Sequence, residues 1–246
     1  MAETARQIAD DLRARITSGE LMPGDRMPGE PALVKDYGVA KETARRALTL
    51  LVDEGLAVRR RGSGTYVREF RPIPRVANKR LAAQGGWGTG RSIWNADLGD
   101  REYTVTDFQV YESKPSRQVG KLLELDEGEP VIVRSRRYVV EGEPVQQAIS
   151  YLPAKEVRDS PITQENPGEG GIYQRLADLG LKPVRFTEEL RARMPSQEES
   201  SLLAVSAGTP VVEICRIAFT ANGRPVEVNQ MLLDAGAYVM RYHIES

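Results

Sequence analysis

The sequence predicts an α+β protein in two parts: a basic, mainly helical domain over residues 1–70 and a larger domain over 91–246 on a mainly antiparallel sheet, joined by a linker at 71–90. Three observations carry this. Apolar residues recur at helical spacing as far as Glu54, the charge changes sign along the chain, and the second part contains an internal repeat. Residues 1–96 hold 17 Lys and Arg against 11 Asp and Glu, while 97–246 hold 17 against 24. The formal net charge of −1 therefore conceals a basic N-terminal portion.

Ile8, Leu12 and Ile16, flanked by Ala5 and Ala9, place one apolar face on a helix over 4–17 that Gly19 ends. The segment GELMPGDRMPGE is too rich in Pro and Gly for regular helix and predicts a compact turn. A short helix follows from Pro31 to Tyr37, then a turn through Gly38 and Val39, then a third helix from Ala40 to Glu54. The third helix buries Ala44, Ala47, Leu48, Leu51 and Val52 and presents Lys41, Glu42, Arg45, Arg46 and Thr49 on its other face. Two short helices joined through Gly38 and Val39 form a helix-turn-helix pattern, although such a charged face also suits plain solvation. The next segment favours the DNA reading. Leu56 and Val58, then Tyr66 and Val67, flank RRRGSGT as two strands flank a turn, giving a basic wing. There Gly62 and Gly64 permit close backbone approach, Ser63 and Thr65 can donate to phosphate, and Arg59, Arg60 and Arg61 supply charge.

Composition narrows the function classes. The chain of 246 residues is 40% hydrophobic and 28% charged, as soluble globular proteins are. No stretch approaches the ~20 apolar residues that span a bilayer. The start MAETARQIADDLRARI lacks the basic region, apolar run and cleavage site of a secretory signal, so a cytoplasmic location without membrane association is expected, on the nucleoid when DNA is bound. Cys215 is the sole cysteine and His243, the fourth residue from the end, the sole histidine. That excludes an intrachain disulfide and a cysteine-based zinc site and leaves almost no material for histidine catalysis. No catalytic residue, metal or cofactor is expected.

The first 70 residues resemble the GntR family of bacterial regulators. The resemblance rests on IADDLRARITSGELMPGDRMPGEPAL and YGVAKETARRALTLLVDEGLAVRRRGSGTYV, which together give the family's order of helix, PGD loop, recognition helix and wing. It implies that Lys41, Thr43 and Arg45 contact DNA from the third helix and Gly62 to Thr65 from the wing. Two positions depart from the family pattern. Gly29 stands where relatives usually carry Ser, which removes a helix N-cap, and Pro31 replaces a phosphate-binding Arg.

Beyond FRPIPRVANKRLAAQGGWGTGR, read as linker because prolines, glycines and basic residues follow no period, two stretches repeat. LLELDEGEPVIVRSRRYVVEGEPV at 122–145 matches LLAVSAGTPVVEICRIAFTANGRPV at 202–226, with one residue inserted before the second turn. Each copy predicts a helix end, a strand, a turn at Glu141-Gly142 or Asn222-Gly223, and a returning strand. Further strands are expected near 103–111, 184–193 and 237–244, and helices near 115–124, 171–179 and 196–204.

This layout resembles the UTRA ligand-sensing domain of the HutC subfamily of GntR regulators, which has the chorismate lyase fold. Supporting motifs are GEPV followed by SYLP, IYQRLADLGL, and GRPVEV ending in DAGAYVMRY. The resemblance implies a homodimer and an effector cleft between the hairpins. Of the family's sugar-phosphate clamp, Arg136 matches one arginine, while Tyr138 stands at the second and Ala148 at a glutamate. Ser150 and Glu227 match ligand positions, and Leu233 replaces an aromatic. Losing half the clamp predicts a small-molecule effector less anionic than a sugar phosphate, or none. Trp87 and Trp94 are candidates either for lining the cleft or for ordinary packing. The expected function is a sequence-specific transcriptional regulator, a repressor on an inverted-repeat operator in double-stranded DNA that an effector releases. The alternatives are a chorismate-lyase-like enzyme, which leaves the basic N-terminal module unexplained, and an effector-independent, plasmid-type DNA-binding repressor.

Overall fold

The structure, a computed structural model, describes residues 4–60, 62–69, 72–81, 95–99, 101–205 and 208–243. The chain divides into two compact units. One is Met1–Arg71 with Met194–Ser201 and Val205–Pro210, and the other is Pro72–Arg193 with Leu202–Ala204 and Val211–Ser246.

Three helices open the first unit: α1 (Ala5–Thr17), α2 (Glu30–Tyr37) and α3 (Lys41–Asp53). Helix α1 starts on a reciprocal cap in which the Thr4 hydroxyl accepts from the Gln7 N–H and the Gln7 side chain accepts from the Thr4 N–H. Its buried face is Ile8, Ala9 and Leu12. Helix α3 buries Ala44, Ala47, Leu48 and Leu51 at helical spacing, and these meet Ile8, Leu12, Leu33 and Val67 in one core. Val39, in the turn between α2 and α3, is also buried there. Strands β1 (Ala57–Arg60) and β2 (Gly64–Val67) form the wing hairpin, with Ala57 opposite Val67 and Arg60 opposite Gly64.

Helix α2 begins at Gly29 with no side-chain cap. Gly29 has ordinary extended torsions, and the nearest atom to an added Cβ is Pro31 Cδ at 3.6 Å, an ordinary contact. Gly29→Ser is therefore expected to stabilise the first unit by about 0.5 kcal/mol, from the restored cap and the stiffer unfolded chain. Urea denaturation followed by far-UV circular dichroism checks it.

The second unit begins with β3 (Ile73–Val76), α4 (Ala77–Leu81) and α5 (Asn95–Leu98). Its main sheet is formed by β4 (Tyr103–Ser113), β5 (Val131–Val140), β6 (Glu143–Pro153), β7 (Arg185–Arg193), β8 (Val211–Phe219) and β9 (Pro225–Asp234). Helix α6 (Arg117–Leu122) follows β4, α7 (Ala154–Val157) and α8 (Gly171–Asp178) follow β6, and α9 (Gln197–Leu203) follows β7. The strand order is β4-β5-β6-β9-β8-β7, with every neighbour antiparallel. In chain order each half runs strand, helix, hairpin, although residues 197–201 of α9 belong to the first unit, and β6 against β9 joins the two halves of the sheet. The turn of the first hairpin has positive φ at both Glu141 and Gly142, the two-residue form that matches strand twist. In the second, the inserted residue lengthens the loop to Ala221-Asn222-Gly223, with Thr220 N–H bonded to the Arg224 carbonyl and positive φ at Gly223.

Residues 73–81, read as linker from sequence, are strand and helix instead. Strand β3 pairs in parallel with β10 (Tyr238–Arg241) at the far end of the chain, and Ile73 and Arg75 are buried. Pro74 is compatible with the short two-stranded ladder that results. Composition masked a partner so remote in sequence. Among the described residues no helix is long and apolar enough to cross a membrane.

Candidate functional site

On α3 the alternation of buried and outward positions leaves Lys41, Glu42, Arg45 and Arg46 exposed, and Thr43 half-buried. Arg45 Nη2 lies 2.8 Å from Glu42 Oε1 one turn earlier, and Lys41 Nζ lies 3.8 Å from Glu30 Oε2. Both cations are exposed enough to exchange these pairs for another anion at little cost. In the wing, Arg60 stacks over the Tyr66 ring at 4.4 Å, and the Ser63 and Tyr66 hydroxyls are hydrogen-bonded. Gly62, Ser63 and Gly64 are exposed, and a Cβ on Gly64 would meet Arg26 Nε at 3.2 Å. Thr65 is placed differently from the sequence reading. It is 9% exposed, facing inward on β2, and its carbonyl accepts from the Met27 N–H, so strand alternation turns its hydroxyl away from the wing surface. Arg61 lies outside the described residues.

In the second unit one rung of the sheet carries polar side chains across five strands: Arg134 on β5, Ser150 on β6, Asn229 on β9, Arg216 on β8 and Glu188 on β7. Directly opposed residues share a face, and Arg134, Ser150, Asn229 and Arg216 are all under 5% exposed. The row is held from above. Arg134 donates to the carbonyls of Ile162, Gln164 and Glu165. Arg75 from β3 forks onto Glu188, with Nη1 at 2.8 Å from Oε2, and Arg216 Nη1 is 3.7 Å from Glu188 Oε1. Burial pushes the Glu188 carboxyl up, but the Arg75 hydrogen bonds and the Arg216, Arg75 and Arg80 charges prevail and hold it below its ordinary value.

Beside this row lies a cavity of about 100 Å³ whose walls include Arg80, Arg136, Tyr138, Gln146, Ala148, Tyr173, Arg216, Glu227 and Asn229. A wider cleft of about 610 Å³ shares Arg136, Tyr138 and the Gly170–Ile172 segment with it. Glu227, fully buried, accepts from the Tyr173 hydroxyl at 2.6 Å and from Asn229 Nδ2 at 3.3 Å. Ser150 Oγ receives Arg136 Nη2 at 3.2 Å and Asn229 Nδ2 at 3.1 Å. Burial raises the Tyr173 hydroxyl well above its usual range and brings the Arg134 guanidinium down to about 10. The sequence candidates Arg136, Tyr138, Ala148 and Glu227 thus share one cavity, with Ser150 tying Arg136 to Asn229 behind it. Leu233 does not line it. It is on the cavity face of β9 but wholly buried among Ile73, Tyr138, Ala148 and Met231. Trp87 and Trp94 lie outside the described residues.

Comparison with known proteins decides what this pairing of units is. The profile of the GntR family of bacterial regulatory proteins matches residues 4–67, and that of the UTRA domain matches 100–238. The chain belongs to the GntR family, in its UTRA-bearing, HutC-like branch. It is 33% identical over 232 residues to an HTH-type transcriptional regulator of Streptomyces coelicolor, covering 90% of this chain and 85% of that one. It is 27% identical over 236 residues to the mannosyl-D-glycerate transport/metabolism system repressor MngR of Escherichia coli, covering 95% and 92%. A crystal structure of a GntR-family transcriptional regulator, 28% identical, superposes with a TM-score of 0.60 over 98% of this chain and 97% of that one. This GntR-family protein is accordingly a DNA-binding transcriptional regulator that carries an effector-type domain, and not an enzyme.

Sequence reading missed several cavity residues of this regulator. Arg216 is the clearest, because the repeat itself aligns it with Arg136, and Gln146 with Glu227 and Ala148 with Asn229 follow from the same alignment past the inserted residue. The signal was present for those three pairs. For Arg80 and Tyr173 it was absent, since each comes from a helix outside the repeat.

Proposed function

We propose that this regulator is a cytoplasmic homodimeric repressor, joining the nucleoid when bound, whose residues 1–70 read an inverted-repeat operator and whose residues 91–246 dimerise and bind a small-molecule effector that releases it. The single observation that carries the DNA reading is the exposure of Lys41, Glu42, Arg45 and Arg46 on α3, in the same compact unit as the Arg60–Gly64 wing. Lys41, Thr43 and Arg45 are assigned to base edges and neighbouring phosphates, and Arg46, Arg60, Arg61 and the exposed Gly62–Gly64 turn to the backbone, with Thr65 left to pack inward. The effector is assigned to the Arg136–Glu227 cavity and the cleft that opens from it. The named repressor function of MngR supports repression as the sign of control.

Footprinting the purified full chain on DNA upstream of its own gene, alone and with candidate metabolites, tests this. Protection of an inverted repeat that a metabolite relieves is the expected result, and operator affinity that no metabolite alters would leave only an effector-independent repressor. Arg45→Ala is expected to weaken operator binding by about 10- to 100-fold, whereas Arg60→Ala lowers the slope of log affinity against log salt by about 1. Gel-shift titrations over a range of salt separate the two. Equal binding by Arg45→Ala and the natural chain at all salt concentrations removes Arg45 from the interface.

A further inference from the structure

The cavity has an internal asymmetry that points to the chemistry of its occupant. Resting on the assignment of this cavity to the effector, we infer that it takes a hydroxylated monocarboxylate, an acid of the sugar-acid type, with its carboxylate between Arg136 and Arg216 and its hydroxyls against Glu227 and Asn229.

The positive side comes from both copies of the repeat. Arg136 on β5 and Arg216 on β8 occupy corresponding positions, and both line the cavity. Arg136 Nε and Arg216 Nε and Nη1 are buried and make no hydrogen bond among the described residues. Buried guanidinium N–H groups without acceptors are costly, and a two-oxygen anion matches their fork. The missing second arginine of the first hairpin, Tyr138, is thus replaced from the other half of the sheet.

Charge counting over the groups that line the cavity and their ion-pair partners favours an anion of one unit. The arginines of the cluster are Arg75, Arg80, Arg134, Arg136 and Arg216, and its carboxylates are Asp97, Glu188 and Glu227. Arg134 is engaged by three backbone carbonyls. Arg80 faces Asp97 at 3.1 Å, and Arg75 and Arg216 share Glu188. Among the described residues Arg134 neither lines the cavity nor pairs with a charged group that does, so around the cavity itself four guanidiniums oppose three carboxylates, and the single excess charge suits a carboxylate. A phosphate dianion would sit beside the Glu227 carboxylate in the same small space.

The opposite wall asks for donors. Asn229 Nδ2 points at the Glu227 carboxylate, which can only accept, and this fixes the amide orientation. Asn229 Oδ1 is then left buried with no donor among the described residues, in a residue 3% exposed. Glu227 retains acceptor capacity beyond its bonds to Tyr173 and Asn229. Ligand hydroxyls satisfy both, while an uncharged polyol would leave the guanidinium side unmet.

The test titrates the full-length protein calorimetrically with D-glycerate, D-gluconate and D-glucuronate, and with glycerol, D-glucose and D-glucose 6-phosphate as comparisons. At least one acid is expected to bind at least about tenfold more tightly than every comparison compound. Gln146→Glu is the decisive variant. It keeps the acceptor that Tyr238 donates to at 3.2 Å, but adds a carboxylate to the wall and cancels the excess charge. It should weaken binding of the acid at least about tenfold while its thermal midpoint stays that of a folded protein. Arg216→Lys, which keeps charge and loses the fork, should weaken it as well. Tighter binding of glucose 6-phosphate or a neutral sugar, abolished by Arg136→Gln, overturns the carboxylate assignment and leaves the effector site standing. A metabolite that shifts operator affinity but ignores Arg136→Gln and Gln146→Glu overturns the site itself. Binding of none of the acids overturns the inference.

Discussion

Glu188→Ala is expected to destabilise the second unit by about 3–5 kcal/mol, because it strands two buried guanidiniums. The Arg75 side chain is 0% exposed and that of Arg216 5%, and Glu188 is the carboxylate both of them meet. Thermal unfolding of the variant and the natural chain measures the loss, and a change within 1 kcal/mol would show that water or rearrangement meets the arginines. The same group sets an acid limit. Its folded pKa lies below the ordinary 4.5, so its contribution is fully present above that value and is lost as pH falls through the folded value. The Arg80–Asp97 pair behaves oppositely. Burial is the largest influence on each, bringing Arg80 down to about 10 and raising Asp97 despite their 3.1 Å separation, so this pair gives little net stability.

In the first unit, Leu51→Ala is expected to cost about 2–5 kcal/mol. Leu51 is fully buried where α3 meets the common core, and a unit this small has little alternative packing. Operator binding should fall with it, although Leu51 faces away from the exposed Lys41–Arg46 surface of α3. Gel shift at two temperatures, together with circular dichroism, separates unfolding from a lost contact: on cooling, a merely destabilised variant recovers binding. Full affinity at the temperature where the natural chain begins to unfold would contradict it.

The first unit was almost entirely legible because its signals are local. Helical spacing of Ile8, Leu12 and Ile16, the stop at Gly38 and the glycine wing each act within a few residues. The repeat made two hairpins legible for the same reason, and Glu141-Gly142 announced its own turn. What stayed hidden depends on distant partners. Nothing near Arg75 shows that it belongs to a strand paired with Tyr238–Arg241, or that it answers Glu188. Arg134, too, looks in sequence like one more surface cation, yet it is fully buried, because carbonyls of the Ile162–Glu165 segment accept its protons. Thr65 and Leu233 were placed by resemblance of position, and the burial of each follows from the pleat and the layer above it, which position does not encode.

The joining of like halves through β6 and β9 bears on how such a sensor changes its taste. Backbone ladders hold these strands in register whatever the side chains, so matched positions are free to diverge one at a time: Gln146 against Glu227, Ala148 against Asn229. A mutation in one copy alters one wall and leaves its counterpart as a template. Recognition then evolves by small asymmetries introduced into a symmetrical frame, and a library restricted to those four positions should reach new inducers without rebuilding the sheet.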